Sequence, residues 1–166
     1  MQTKQINLIV AFKHKADSEK AFLDRMMSKA IQFWTKSKYY HTEIVIDKTW
    51  VSAIPNKGVS LNKVSLDFSP NWEYLTLTVE VTEQQQALIS KYVLDQAGCK
   101  YDWSGIFWSQ FIKLGAQSDS KWFCSELVTK ILQLYLVPEV LEEIPHKVSP
   151  AGLFTLLSGS IKNNKA

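Results

Sequence analysis

The chain has 166 residues, 46% of them hydrophobic and 21% charged, with a net charge of +3. That length suits one domain with a single core, and the composition is that of an ordinary globular protein rather than a disordered or fibrous one. Positive charge is concentrated in residues 1–38, where eight Lys/Arg face three Asp/Glu, but without an RNA-binding signature or a recognition-helix pattern it reads as a solvated face, and no nucleic-acid partner is expected.

No stretch approaches the ~18 apolar residues of a membrane span. The early apolar run from Ile6 to Phe12 contains Asn7 and leads into Lys13-His14-Lys15 with no small-residue cleavage site, so it reads as a strand rather than a secretory signal. The two cysteines, Cys99 and Cys124, have neither CxxC nor Cys/His ligand spacing, so no metal and a reducing, cytoplasmic location are expected.

In chain order, residues 5–12 form a first strand, and Asp17 or Ser18 caps a helix running to about Trp34. Phe22, Met26, Met27, Ala30 and Phe33 recur on that helix at the spacing of an apolar face. Residues 40–47 and 49–54 read as a hairpin, followed by short extended pieces at 59–61 and 64–66. The segment 73–81 alternates cleanly, with Leu75, Leu77, Val79 and Val81 on one face. Thr82 with Gln85 fits a capping box that opens a helix to about Ala97, and Gly98 ends it. Residues 101–120 are aromatic and then polar, and read as a loop. A helix from Cys124 to about Leu136 turns Leu127, Val128, Ile131, Leu132 and Tyr135 inward and stops at Pro138. Ser149-Pro150 opens a last short helix, and residues 162–166 form a polar tail. With no repeat and no linker, residues 1–166 predict one α+β domain, an antiparallel sheet packed against helices.

Two residues carry the chemistry. Cys124 opens a helix, where the helix dipole and unpaired backbone N–H groups favour a thiolate and leave its own N–H for an oxyanion. His41 lies on a strand whose Ile44 and Ile46 define the core face, so His41 and Glu43 point the other way, toward a cleft or solvent. An imidazole brought to the thiol completes a nucleophilic pair, and Glu43 can hold the imidazole in one tautomer. If the hairpin turns at Asp47-Lys48, Ser52 lies opposite Glu43 and is a second candidate for the third member.

His41-Thr42-Glu43, Tyr101-Asp102-Trp103 and Phe123-Cys124-Ser125-Glu126, in this order, resemble the circularly permuted branch of the NlpC/P60 papain-like cysteine peptidases and amidases. The likeness is greatest to small phage and prophage members, and the same permutation occurs in lecithin–retinol acyltransferase-like proteins. Trp50-Val51-Ser52, Gly58-Val59 and Val148-Ser149-Pro150 are similar to that group too, so the resemblance spans residues 40–155. It implies a papain-like fold with Cys124 as nucleophile and His41 as general base. Tyr101 would line the oxyanion side, with Ser52, Trp103 and Ser125 beside it. The acyltransferase-like relatives carry a second histidine where this chain has Ala53, and related amidases often a glutamate where it has Ser52; that departure makes Glu43 the first choice for the third role.

The expectation is therefore a cofactor-free cysteine hydrolase that cleaves an amide or ester through a thioester. By the resemblance, its substrate is a small-molecule, peptide or peptidoglycan-type compound. An acyltransferase on lipid substrates, or a non-catalytic binding or virion component of the same fold, are the alternatives. The sequence leaves the oligomeric state open.

Overall fold

The computed structural model describes residues 2–15, 22–54, 57–63, 69–101 and 121–163. A five-stranded antiparallel sheet is built from β1 (Thr3–Lys13), β2 (His41–Ile46), β3 (Thr49–Ile54), β4 (Gly58–Lys63) and β5 (Trp72–Thr82), in the order β4-β3-β2-β1-β5. Around it lie α1 (Phe22–Thr35), α2 (Glu83–Asp95), α3 (Cys124–Leu134) and α4 (Pro150–Asn163). A two-stranded parallel ribbon joins β6 (Lys100–Tyr101) to β7 (Lys121–Trp122), directly before α3. The class is α+β, as the order of elements predicts.

Strand periodicity sets the core. The register Val10↔Ile44, Ile44↔Val51 and Val10↔Leu75 puts these apolar side chains on one face of the sheet. Ile89 and Val93 of α2, Leu127 and Ile131 of α3, and Leu153 and Leu157 of α4 close over that face. The opposite face carries a smaller cluster of Ala11, Val45 and Trp50, with Ile9, Trp72 and Tyr74 against it. His41 belongs to this second face, because Lys13 pairs with both His41 and Trp72.

The local signals for α2 and the hairpin hold. Thr82 Oγ1 accepts the Gln85 N–H at 3.1 Å; α2 ends at Asp95 with Gln96 as its C-cap, earlier than the expected Ala97, and Gly98 follows in the turn beyond it with φ 82°. Asp47 and Lys48 form the two-residue turn with φ 47° and 66°, the left-handed pair that matches the twist of a tight hairpin.

Three expectations are corrected. The apolar stripe of α1 is not turned inward throughout: Ala30 is exposed and Phe33 is 85% exposed. Among the described side chains of α1, Gln32 Nε2 donates to the carbonyls of His14 (3.1 Å) and Lys38 (2.6 Å). The side chains of Phe22, Met26 and Met27 lie outside the described residues, as do Asp17 and Ser18. Second, α3 stops at Leu134, because Leu136 takes φ 56° and Val137 N–H folds back to the Leu132 carbonyl. Third, α4 continues to Asn163, into the segment expected as a tail. Residues 64–68 and 102–120 lie outside the described residues, and the extended piece and loop expected there with them.

Among the described glycines, Gly58 is the one whose place a side chain could not take without moving backbone. Its φ is 78°, and a Cβ there would stand 2.2 Å from the Cys99 carbonyl oxygen. Val59 N–H donates to that carbonyl at 2.8 Å and Gly98 N–H returns to the Val59 carbonyl at 2.9 Å, so β4 clamps the chain that leads into β6. Gly98 shares the left-handed backbone but has nothing within 4 Å. Gly98→Ala is expected to cost about 1–2 kcal/mol, the penalty of the conformation alone. Gly58→Ala is expected to cost at least ~2 kcal/mol more, because backbone must move. Urea unfolding of both variants checks this, and equal losses would remove the clamp from the account.

Candidate active site

The first turn of α3 meets the first residues of β2. Its ladder with β3 runs only from Ile44↔Val51 to Ile46↔Thr49, so His41, Thr42 and Glu43 are bound on the β1 side alone. Into this frayed corner comes Cys124. Its thiol is hydrogen-bonded to the His41 ring, and the backbone N–H groups of Thr42 and Ser125 donate to the sulfur. On the imidazole, Nε2 lies 2.9 Å from Glu43 Oε1, which leaves Nδ1 for the thiol. Sequence spacing put His41 and Glu43 on one face, and the structure brings both side chains to within about an eighth of full exposure, 13% and 12%. They face the aromatic second side of the sheet rather than open solvent.

Electrostatics couple the two groups. Burial alone would push the Cys124 thiol up. The His41 charge, the hydrogen bond from its ring and the two backbone donors override this and hold the thiol below its ordinary value. Burial alone would push His41 down. The charge and hydrogen bond of Cys124, then the hydrogen bond and charge of Glu43, raise it to about 9. Both directions favour the thiolate–imidazolium form.

Helix α3 presents this thiol because its N-terminus is pinned. Phe123 is the N-cap, an apolar residue without a capping hydroxyl, and its N–H instead reaches the Glu126 carboxylate at 3.5 Å. Glu126 is 2% exposed, an acidic side chain at the positive end of the helix. Ser125 is fully buried, and its hydroxyl donates to the Val148 carbonyl at 2.7 Å. Its side chain thus ties α3 to the C-terminal segment, and only its N–H points at the sulfur. The Cys124 N–H belongs to the first helical turn, whose donors have no intrahelical acceptor.

The remaining expected residues divide. Tyr101 stands beside Trp122 in the short parallel ribbon, two residues before Cys124, and packs against the core. Ser52 is buried and pairs with Ser60 of β4. The hairpin register sums as expected, but the ladder stops one pair short of Glu43, so Glu43 and not Ser52 is the group seen on the imidazole. Trp103 lies outside the described residues. Cys99 is a half-buried free thiol 3.9 Å from Gln96 Oε1.

Two features escaped the sequence reading. Trp72 meets the His41 ring edge-on at 5.9 Å, and Lys13, only 5% exposed, places its Nζ 5.0 Å from the Trp72 ring centre. The alternation of β5 extended back to residue 72 would have placed Trp72 on the non-core face. The Thr42 N–H had no signal at all, since it depends on where one ladder ends.

No family model, curated protein or solved structure matches the chain. No described helix is long and apolar enough to cross a membrane.

The pH window follows from the pair. Thiolate forms above the lowered thiol value, and the imidazolium beside it persists until pH rises through about 9. Glu43→Gln removes one group that holds the proton on His41, so the imidazole titration moves down and the thiol titration moves up. Rates of Cys124 alkylation across a pH series should show the window narrowing from both ends. Ser52→Ala should leave it nearly unchanged, and a larger effect from Ser52→Ala would move the third role to β3.

Proposed function

We propose that this protein is a cysteine hydrolase acting on an amide or ester bond, with Cys124 as nucleophile, His41 as general base and acid, and Glu43 as the residue that orients the imidazole. The observation that carries this reading is a helix-opening thiol hydrogen-bonded to an imidazole whose other nitrogen is held at 2.9 Å by a half-buried carboxylate. The nucleophile, base and orienter then stand in one line.

In the proposed cycle the Cys124 thiolate attacks the carbonyl carbon, and the negative oxygen that forms is taken by the Cys124 backbone N–H. As the carbon–nitrogen or carbon–oxygen bond breaks, the His41 imidazolium gives its proton to the leaving amine or alcohol. The neutral imidazole next takes a proton from water, the resulting hydroxide attacks the thioester carbon, and the acid leaves with Cys124 restored as thiolate. Glu43 keeps Nε2 engaged throughout, so that Nδ1 always faces sulfur. The likeness of the His41, Tyr101 and Cys124 segments to the permuted NlpC/P60 enzymes supports a peptide or peptidoglycan-type amide as the substrate class.

Cys124→Ala should lower hydrolysis of activated esters and peptidyl amides by at least about a thousandfold, since a nucleophile is removed. Thermal stability should stay nearly intact, because a small thiol contributes little packing. Cys99→Ala should retain activity. Mass spectrometry of the unmodified protein with a slow ester should catch an acyl group on Cys124 that hydroxylamine removes. Activity that survives Cys124→Ala, or an acyl group on Cys99, would overturn the assignment.

A further inference from the structure

Side chains from β1, β2 and β5 meet beside the Cys124–His41 pair. Lys13 of β1 pairs with His41 of β2 on one side and with Trp72 of β5 on the other. Two strand spacings, about 10 Å, therefore separate the backbones of His41 and Trp72. Their ring centres are nonetheless 5.9 Å apart, so the two side chains converge across β1 at the Lys13 position. The Trp72 ring is itself held by two neighbours. The Lys13 ammonium lies 5.0 Å from its centre, within cation–π range, and the Trp50 ring of β3 meets it at 5.8 Å and 58°. Both neighbours are buried, so Trp72 has little room to turn.

What the imidazole needs from this ring changes with the state of the sulfur. While Cys124 is a thiolate, His41 is tied at both nitrogens, to sulfur and to Glu43 Oε1. Once the sulfur carries an acyl group it is neutral and a weak acceptor, and the 2.9 Å bond to Glu43 is the tie that remains of the two. A single hydrogen bond fixes one atom of the ring and not its plane, and the last torsion of a histidine side chain has a broad, shallow energy profile. A neighbouring ring that cannot turn removes that freedom, whether or not the imidazole carries its second proton.

We propose that Trp72 is a positioning residue for His41, one that keeps the imidazole aligned with Glu43 and the sulfur when Cys124 is acylated or blocked and no longer holds it. The consequence for turnover rests on the hydrolase reading; the effect on the ring does not, and the two are measured separately.

In a Cys99→Ala background, methyl methanethiosulfonate blocks Cys124 with a small neutral group and so reproduces the acylated sulfur without turnover. Carbon-13 relaxation of the His41 ring in the blocked full chain then reads its order directly. An order parameter of about 0.8 is expected with Trp72 and with Trp72→Phe, which keeps an aromatic ring, whereas Trp72→Leu, which keeps only apolar bulk, should fall below about 0.6. Trp72→Met takes its place should the leucine variant fail to fold. With a slow ester, Trp72→Leu should form the acyl-enzyme within about twofold of the parent rate and release it roughly tenfold more slowly, because only the second step lacks the thiolate to orient the ring. A His41 ring as ordered in Trp72→Leu as in the parent, one as disordered in Trp72→Phe as in Trp72→Leu, or a loss of rate confined to acylation would each overturn the proposal. Ring order behaving as expected with no acyl-enzyme formed by any variant would uphold the role of Trp72 and sink the hydrolase reading instead.

Discussion

A thiol and an imidazole buried against one another must settle jointly which of them holds the proton. Neither Cys124 nor His41 would charge alone in so dry a place, because burial acts against the ionised form of each. Together they can, since each charge is the other's compensation. What tips the pair is the set of groups that recognise only one form. Two backbone N–H groups donate to the sulfur, and one carboxylate faces the imidazole. These are fixed dipoles and a fixed charge, so they need not reorganise when the proton moves. The pair therefore constrains everything around it: β2 must be unpaired on one side at Thr42, and α3 must start within hydrogen-bond reach of that gap.

Much of the C-terminal half serves that second demand. Helix α3 is held at its start by Glu126 on the Phe123 N–H and by Ser125 on the Val148 carbonyl. At its other end Gln133 Nε2 donates to the carbonyls of both Val140 and Glu143, each at 2.8 Å, so the loop after the helix is laced back onto it. Between these ties Leu127 and Ile131 are fully buried against the sheet. A helix fixed at both ends and along one side cannot slide or rotate without losing buried hydrogen bonds. That rigidity sets the thiol position to within what the Thr42 N–H tolerates.

How much of this was legible in the sequence depends on the range of the interaction. The Thr82 cap, the Asp47-Lys48 turn, the alternation of β5 and the helix opening at Cys124 all arise within a few residues, and local chemistry predicts them. The shared face of His41 and Glu43 is equally local, because a strand has a period of two. Ser52 follows from register, but register says which residues oppose one another only while the ladder lasts, and here it ends at Ile44↔Val51. The inward stripe expected of α1 failed at Phe33 for a related reason. Periodicity marks the face a helix can bury, whereas the tie of Gln32 to the His14 and Lys38 carbonyls joins residues that no helical repeat relates. Gly58 was visible as part of a motif, but its cause, the Cys99 carbonyl against its α-carbon, is a contact across forty-one positions.

The two faces of the sheet divide the work of the molecule. One face is continuous with the apolar core and gives β2 its place; the other carries His41, Glu43, Trp72 and Lys13 under partial cover. Thr42 sits between these two as the hinge of the division. Its side chain points into the core, where the hydroxyl has no partner at 0% exposure, while its N–H is directed at the Cys124 sulfur. A valine would fill the same space in the core without leaving a buried hydroxyl unpaired, so core packing alone does not explain a threonine there. The backbone group is what the sulfur uses, and any residue but proline supplies it. The site thus depends at this position on the path of the main chain, which is why β2 has to end its pairing with β3 where it does.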